Sequence, residues 1–184
     1  MRFTPAPIHG SFVIDIEPIG DDRGFFARAF CRKEFEAHGI DPFIAQCNIS
    51  TNRKAGTLRG MHYQAAAAAE PKLVRCTKGA IYDAIIDMRP ESPTYLQHFG
   101  IELTEDNHTA LYVPGVCAHG YQALSDSTEI FYMVGEFYTP GHEQGLRYDD
   151  PYFSIDWPME VTELSDKDLS WPLFDPRAPA GGQR

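Results

Sequence analysis

The sequence predicts an all-β fold, a sandwich or barrel of short antiparallel strands. Three observations carry this reading. Runs with strand character recur between turn signals along most of the chain. The 184 residues include 15 glycines and 14 prolines, a frequency of turn residues that suits many short connections. Segments with helical character are few.

The expected strands follow in order. Phe12–Glu17 opens the series, and Ile44–Ser50 carries the clearest alternation, with Gln46, Asn48 and Ser50 on one face and Ala45, Cys47 and Ile49 on the other. Two readings of that pattern stay open: the amide face lines a ligand cavity while the small apolar face packs on a second sheet, or the polar face meets solvent. Lys72–Thr77, Ala80–Met88, Gln97–Leu103 and Ala110–Val113 come next, rich in β-branched and aromatic residues and bounded by Gly, Pro, Asp or Ser. Thr128–Val134 puts Ile130, Tyr132 and Val134 on one face, and Glu136–Thr139 closes the series before Pro140-Gly141. Asp83 lies within the apolar run GAIYDAIIDMR and must be exposed, hydrogen-bonded or paired.

Two short helices are expected. Arg32–His38 (RKEFEAH) is rich in helix formers and is followed by Gly39, a C-terminal stop. Ser165 is placed to cap a turn through Asp166–Leu169. Ala65–Ala69 suits a loop or a helical turn. The C-terminal third, with Tyr148-Asp-Asp-Pro, Asp156-Trp-Pro and Leu164-Ser-Asp-Lys-Asp, reads as connectors wrapping a sheet, anchored by Trp157 and Trp171. One domain over residues 1–176 and a disordered tail over 177–184 (RAPAGGQR) complete the organisation.

Charge and cysteine usage narrow the function. The formal net charge of −10 argues against nucleic acid or an anionic membrane as the main partner, while leaving room for a locally basic pocket. Cys31, Cys47, Cys76 and Cys117 form no C-x-x-C pair and read as small buried hydrophobes. The amino terminus has no signal-peptide-like apolar run, and no segment is long enough to span a bilayer, so a reduced, cytoplasmic protein is expected.

The chemistry concentrates in Leu58–Cys76 (LRGMHYQAAAAAEPKLVRC). Arg59, Lys72 and Arg75 suit an anionic ligand, and His62 is the side chain there whose ordinary pKa lies near neutrality. A metal site would need further ligands beside His62, where Tyr63 and Gln64 stand instead; Glu70 and His119 are the remaining candidates. No G-x-S-x-G, P-loop or dinucleotide fingerprint occurs. General acid–base chemistry remains, with His62, His119, Tyr132, Asp83, Asp168 and Lys72 as its residue types.

An ordered set of motifs runs from about Phe12 to Leu173. It comprises Asp22-Arg-Gly-Phe-Phe, Gln46-Cys-Asn-Ile-Ser, Leu58-Arg-Gly-Met-His-Tyr-Gln, Lys72-Leu-Val-Arg, Gly79-Ala-Ile-Tyr-Asp, Asp87-Met-Arg, Ser92-Pro-Thr, Ala118-His-Gly, Tyr132, Tyr138, Glu143, Asp150-Pro, Trp157-Pro and Leu164-Ser-Asp-Lys-Asp. In these motifs the chain resembles the dTDP-4-dehydrorhamnose 3,5-epimerase family of deoxysugar biosynthesis.

The resemblance implies a cupin-type jelly roll that acts as a homodimer on a nucleotide sugar, dTDP-linked, with no metal or organic cofactor. It implies His62 as the base that removes the proton α to the C4 ketone, Asp168 as its orienting acid, and Tyr132 as the proton donor on the opposite face. Lys72 would stabilise the enolate oxygen with help from His119, itself oriented by Asp83. Arg23, Gln46, Asn48, Arg59, Glu143 and Lys167 fall where the family contacts nucleotide, diphosphate or sugar, and Tyr138 supports them.

Three positions depart from the pattern: Arg28 replaces the usual glutamate of the nucleotide-binding region, Glu70 replaces glutamine, and P-x-G-F-A-H reads Pro114-Gly-Val-Cys-Ala-His. These changes touch specificity and spare the expected acid and base. Inversion at both C3 and C5 is the leading expectation. The alternatives are a C3-only epimerase and a non-catalytic nucleotide-sugar-binding cupin.

Overall fold

Two antiparallel sheets face each other in the computed structural model, which describes residues 1–177. The rest of the expected tail, residues 178–184, lies outside the described residues. In chain order the strands are β1 (Arg2–Pro5), β2 (Phe12–Asp15), β3 (Ile19–Asp21), β4 (Gly24–Phe26), β5 (Gln46–Asn52), β6 (Leu58–Gln64), β7 (Lys72–Lys78), β8 (Ala80–Asp87), β9 (His98–Thr104), β10 (Ala110–Val113), β11 (Cys117–Ala123), β12 (Thr128–Val134) and β13 (Glu143–Gly145). The helices are α1 (Arg32–Ala37) and α2 (Asp166–Leu169). The first sheet runs β1-β2-β10-β7-β12-β5, the second β13-β6-β11-β8-β9, and β3 pairs with β4 as a separate hairpin.

Alternation sorts each strand into two packed faces. Val74, Cys76, Leu111, Val113 and Ile130 of the first sheet meet Ile81, Ile85, Leu103 and Cys117 of the second across the interior. Outside the first sheet, Ile14, Leu73 and Ala110 are covered by Phe35 of α1 and by Ile40. Outside the second, Met61, Tyr63, Ala84 and Ile86 lie under Leu146 and Phe153 of the C-terminal connectors. β8 is therefore buried on both faces, which explains its nearly continuous apolar run. Trp157 anchors the wrap as expected, edge-on to Tyr82 at 5.9 Å, with its indole N–H donating to the Tyr148 carbonyl at 2.9 Å.

Both helices form where the sequence places them. Gly39 follows α1 at φ +72°, the left-handed stop that a side chain resists. The Ser165 hydroxyl accepts from the Asp168 amide at 3.1 Å and starts α2. Ala66–Ala68 forms a single 3₁₀ turn.

Three expectations are corrected. Glu136–Thr139 is not a strand, because side chains take its amides: Phe137 N–H donates to Glu136 Oε1, Tyr138 N–H to Gln46 Oε1 and Thr139 N–H to Gln64 Oε1. The small apolar face of Ile44–Ser50 does not pack on a second sheet. β5 is an edge strand whose outer face is uncovered in the single chain, so Cys47 is exposed and Ile49 is 64% exposed. Only two cysteines, Cys76 and Cys117, are buried; burial pushes their thiols to about 11 and about 12 and keeps them protonated. Among the described residues no helix is long and apolar enough to cross a membrane.

Candidate active site

The central placement device is an irregularity in β6. His119 pairs with His62 and Tyr121 with Arg59, so three residues of β11 span four of β6. Strict alternation would send Arg59 and His62, three apart, to opposite faces; the extra residue turns both to the inter-sheet side. Two glycines allow it. Gly60 has φ +131°, and a Cβ there would lie 2.5 Å from the Gly120 Cα.

Arg59 and His62 thereby line a cavity of about 590 Å³ between the sheets. The first sheet contributes Lys72, Val74, Ser50, Ile130 and Tyr132; the second adds Gln64, His119 and Tyr121. Tyr138, Glu143, Leu164, Ser165, Lys167 and Asp168 close it from the C-terminal segments.

Most charges in the cavity are matched. His62 Nε2 lies 2.5 Å from Asp168 Oδ1, and the ring of Trp171 stands edge-on to His62 at 6.3 Å. Burial pushes the Asp168 carboxyl up, but bonding to His62, to Ser165 and to the Gly60 amide outweighs it and holds Asp168 below its ordinary range. His119 Nε2 meets Asp83 Oδ1 at 2.7 Å, with Asp83 fully buried, which answers the question of that carboxylate's partner. Lys72 pairs with Glu70 at 3.0 Å, and Gln64 donates to the same carboxylate at 2.9 Å. Lys167 pairs with Glu143 at 2.6 Å; the lysine holds the glutamate below its ordinary value and is itself raised.

Tyr132 has no hydrogen-bond partner for its hydroxyl among the described residues. Burial, with Tyr121 and Glu70 nearby, raises its phenol above its ordinary value despite Arg59. The cavity therefore holds a carboxylate-backed imidazole, an ammonium and a protonated phenol, on two facing sheets. That equipment can take a proton from one side of a bound molecule and return one from the other.

Of the expected site residues, His62, Lys72, Tyr132, Asp168, Arg59, His119, Glu143, Lys167 and Tyr138 come together here, with Asp83 directly behind His119. Gln46 and Asn48 share the Ser50 face of β5 without lining the cavity, and Gln46 tethers the Tyr138 amide instead at 3.1 Å. Arg23 sits on the β3–β4 hairpin, 90% exposed and paired with Asp21; Arg28 pairs with Glu34 at 3.1 Å. Neither lines the cavity. Of that β5 face it is Ser50 that lines the cavity, and its hydroxyl is linked at 2.8 Å to that of Tyr121, a lining residue outside the expected set. Tyr121 had a signal, since it lies two residues beyond His119 and shares its face.

Fold and cavity together define an acid–base enzyme built on a jelly-roll sandwich. The family model for dTDP-4-dehydrorhamnose 3,5-epimerase matches residues 5–176. A dTDP-4-dehydrorhamnose 3,5-epimerase from Sinorhizobium fredii is 42% identical over 173 residues, covering 94% of this chain and 89% of the relative. The solved dTDP-4-dehydrorhamnose 3,5-epimerase of Bacillus anthracis, with TDP and pyrophosphate bound, superposes with a TM-score of 0.90 at 38% identity, over 94% of this chain and 99% of that one. That of Legionella pneumophila, in complex with dTDP-4-keto-L-rhamnose, gives 0.87 at 34% identity, covering 94% and 92%. This chain belongs to the dTDP-4-dehydrorhamnose 3,5-epimerase family, and it is a cupin-type epimerase.

Proposed function

We propose that the protein inverts C3 and C5 of a dTDP-linked 4-keto-6-deoxyhexose through an enolate. The observation that carries this reading is the opposition of two groups across one cavity: the Asp168-backed His62 on the second sheet and the protonated Tyr132 on the first. Protons at C3 and C5 both flank the C4 carbonyl, so either abstraction places charge on the same oxygen. One ammonium, Lys72, serves both steps, assisted by His119 on its Asp83 support. His62 removes the proton, Asp168 stabilises the imidazolium, and Tyr132 delivers a proton to the opposite face.

Arg59, Glu143, Lys167 and Tyr138 hold the nucleotide end of the substrate at the mouth. Arg59 is suited to the diphosphate because its acceptors here, Asn52 Oδ1 and the Thr51 carbonyl, are neutral, leaving its charge for a ligand. Gln46 and Asn48 border the same end. Residues 1–176 act as one domain, in the cytoplasm, with the chemistry assigned to side chains alone. A homodimer accounts for the groups outside the cavity. The uncovered face of β5 with Ile49, and the projecting hairpin with Phe25 and Phe26 exposed, are surfaces for a second copy. Arg23 and Arg28 reach a nucleotide only if a second copy brings that hairpin to the cavity mouth.

The test is incubation with dTDP-4-keto-6-deoxyglucose in deuterated water, read by mass spectrometry and proton NMR. Label at both C3 and C5 is expected. Label at C3 alone makes the protein a mono-epimerase, and no label at enzyme levels comparable to substrate overturns the reading.

A further inference from the structure

We propose that Asn52 is a positioning residue that holds Arg59 by a neutral clamp, so that Arg59 remains the uncompensated cation for the phosphates of a nucleoside diphosphate. The inference rests on the reading of the cavity as a nucleotide-sugar site and extends it to a residue outside the cavity lining. Every other cationic or imidazole group in the cavity is met by a carboxylate: Lys72 by Glu70, Lys167 by Glu143, His62 by Asp168 and His119 by Asp83. Arg59 differs. Its Nε donates to Asn52 Oδ1 at 2.9 Å and its Nη2 to the Thr51 carbonyl at 3.3 Å. A guanidinium has five N–H donors, so three remain without a protein acceptor among the described residues.

Asn52 is built for this task. It is only 2% exposed at the end of β5, and both ends of its amide are engaged. The nitrogen donates to the Tyr121 hydroxyl at 3.4 Å, a hydroxyl also bonded to Ser50 at 2.8 Å. A guanidinium only donates, so the amide oxygen must face it, and the phenol oxygen holds the other end. An aspartate at this position would accept the same bond and grip Arg59 more strongly. It would also cancel the charge that an incoming diphosphate requires, the like-charge penalty by which sites reject ligands. An amide gives orientation without neutralisation.

The probe is dTDP, titrated by calorimetry into wild type, Asn52→Asp and Asn52→Ala, with exchange kinetics on the sugar nucleotide alongside. Asn52→Asp is expected to weaken dTDP binding about tenfold or more and to raise KM similarly, with kcat within about twofold. Asn52→Ala, which frees Arg59 without adding charge, is expected to lose about threefold, less than Asn52→Asp. Wild-type protein that does not bind dTDP overturns the site reading and the inference with it. Wild-type binding with Asn52→Asp within twofold overturns the inference alone. Equal losses in the two variants reduce Asn52 to packing and also overturn it. If Asn52→Asp does not fold, Asn52→Ala decides: an unchanged Kd overturns the clamp.

Discussion

Asp168 reaches His62 from 106 residues further along the chain and sets its Oδ1 2.5 Å from the imidazole Nε2. The carboxylate is 5% exposed, and its other oxygen accepts from the Gly60 amide at 3.5 Å. The contact with Nε2 fixes the tautomer of the ring with its proton on that nitrogen, and in the proposed mechanism Nδ1 is then the nitrogen that exchanges protons with the substrate. Asp168→Asn keeps the size of the group and removes its charge. Deuterium exchange is expected to fall by about 10²–10⁴-fold, with dTDP binding close to wild type.

Tyr132 and His62 line one cavity from opposite sheets, and in the proposed mechanism that opposition separates abstraction from inversion. Tyr132→Phe is expected to retain deuterium uptake from the His62 side while epimer formation drops by about 10²-fold or more. Comparing label and epimer in one sample distinguishes the two steps. Because burial raises the phenol above its ordinary 10.0, it stays protonated through pH ~9, and inversion should show no loss from its ionisation below that.

Gly60 decides whether Arg59 and His62 can share a face. Gly60→Ala places a methyl 2.5 Å from the Gly120 Cα and 2.9 Å from the His119 carbonyl, at a φ of +131° that side chains resist. Backbone atoms cannot swing aside as a flexible side chain does. The variant is expected to lose about 3 kcal/mol or more of stability, read by urea denaturation, and its soluble fraction should lose dTDP binding and exchange together.

Asp87 tests the fold apart from the chemistry. It is fully buried and accepts from Arg89 Nε at 2.7 Å, Ser92 Oγ at 2.5 Å and Thr94 Oγ1 at 2.7 Å. Burial pushes its carboxyl up, but Arg89, Ser92 and Thr94 outweigh it and bring it to about 2. A folded pKa below the unfolded one gives stability that is present above the unfolded value and lost as pH falls through the folded one. The contribution, roughly 2 kcal/mol, is expected to disappear between pH ~4 and ~2. Asp87→Asn should be less stable at neutral pH and show a correspondingly smaller loss over that acid range.

Local signals in the sequence determined a good deal of this protein. Turn residues and alternation located most core strands, the Gly39 stop and the Ser165 cap set both helices, and the family motifs pointed to most of the side chains that meet in the cavity. These features depend on neighbours a few residues away, which a sequence displays directly. The rest required contacts between distant segments. Alternation alone would have split Arg59 from His62, because the irregularity in β6 exists only through its pairing with β11. Glu136–Thr139 has strand composition, yet side chains from β5 and β6 capture its amides once those strands are nearby. The neutral partner of Arg59 is likewise a product of packing; the carboxylates behind His62 and His119 were legible only through the family motifs, and packing is what brings each to its ring. Sequence prescribes where a backbone turns and which face is apolar; which charges meet is decided when the sheets close on each other and exclude water, where an unmatched buried charge costs several kcal/mol.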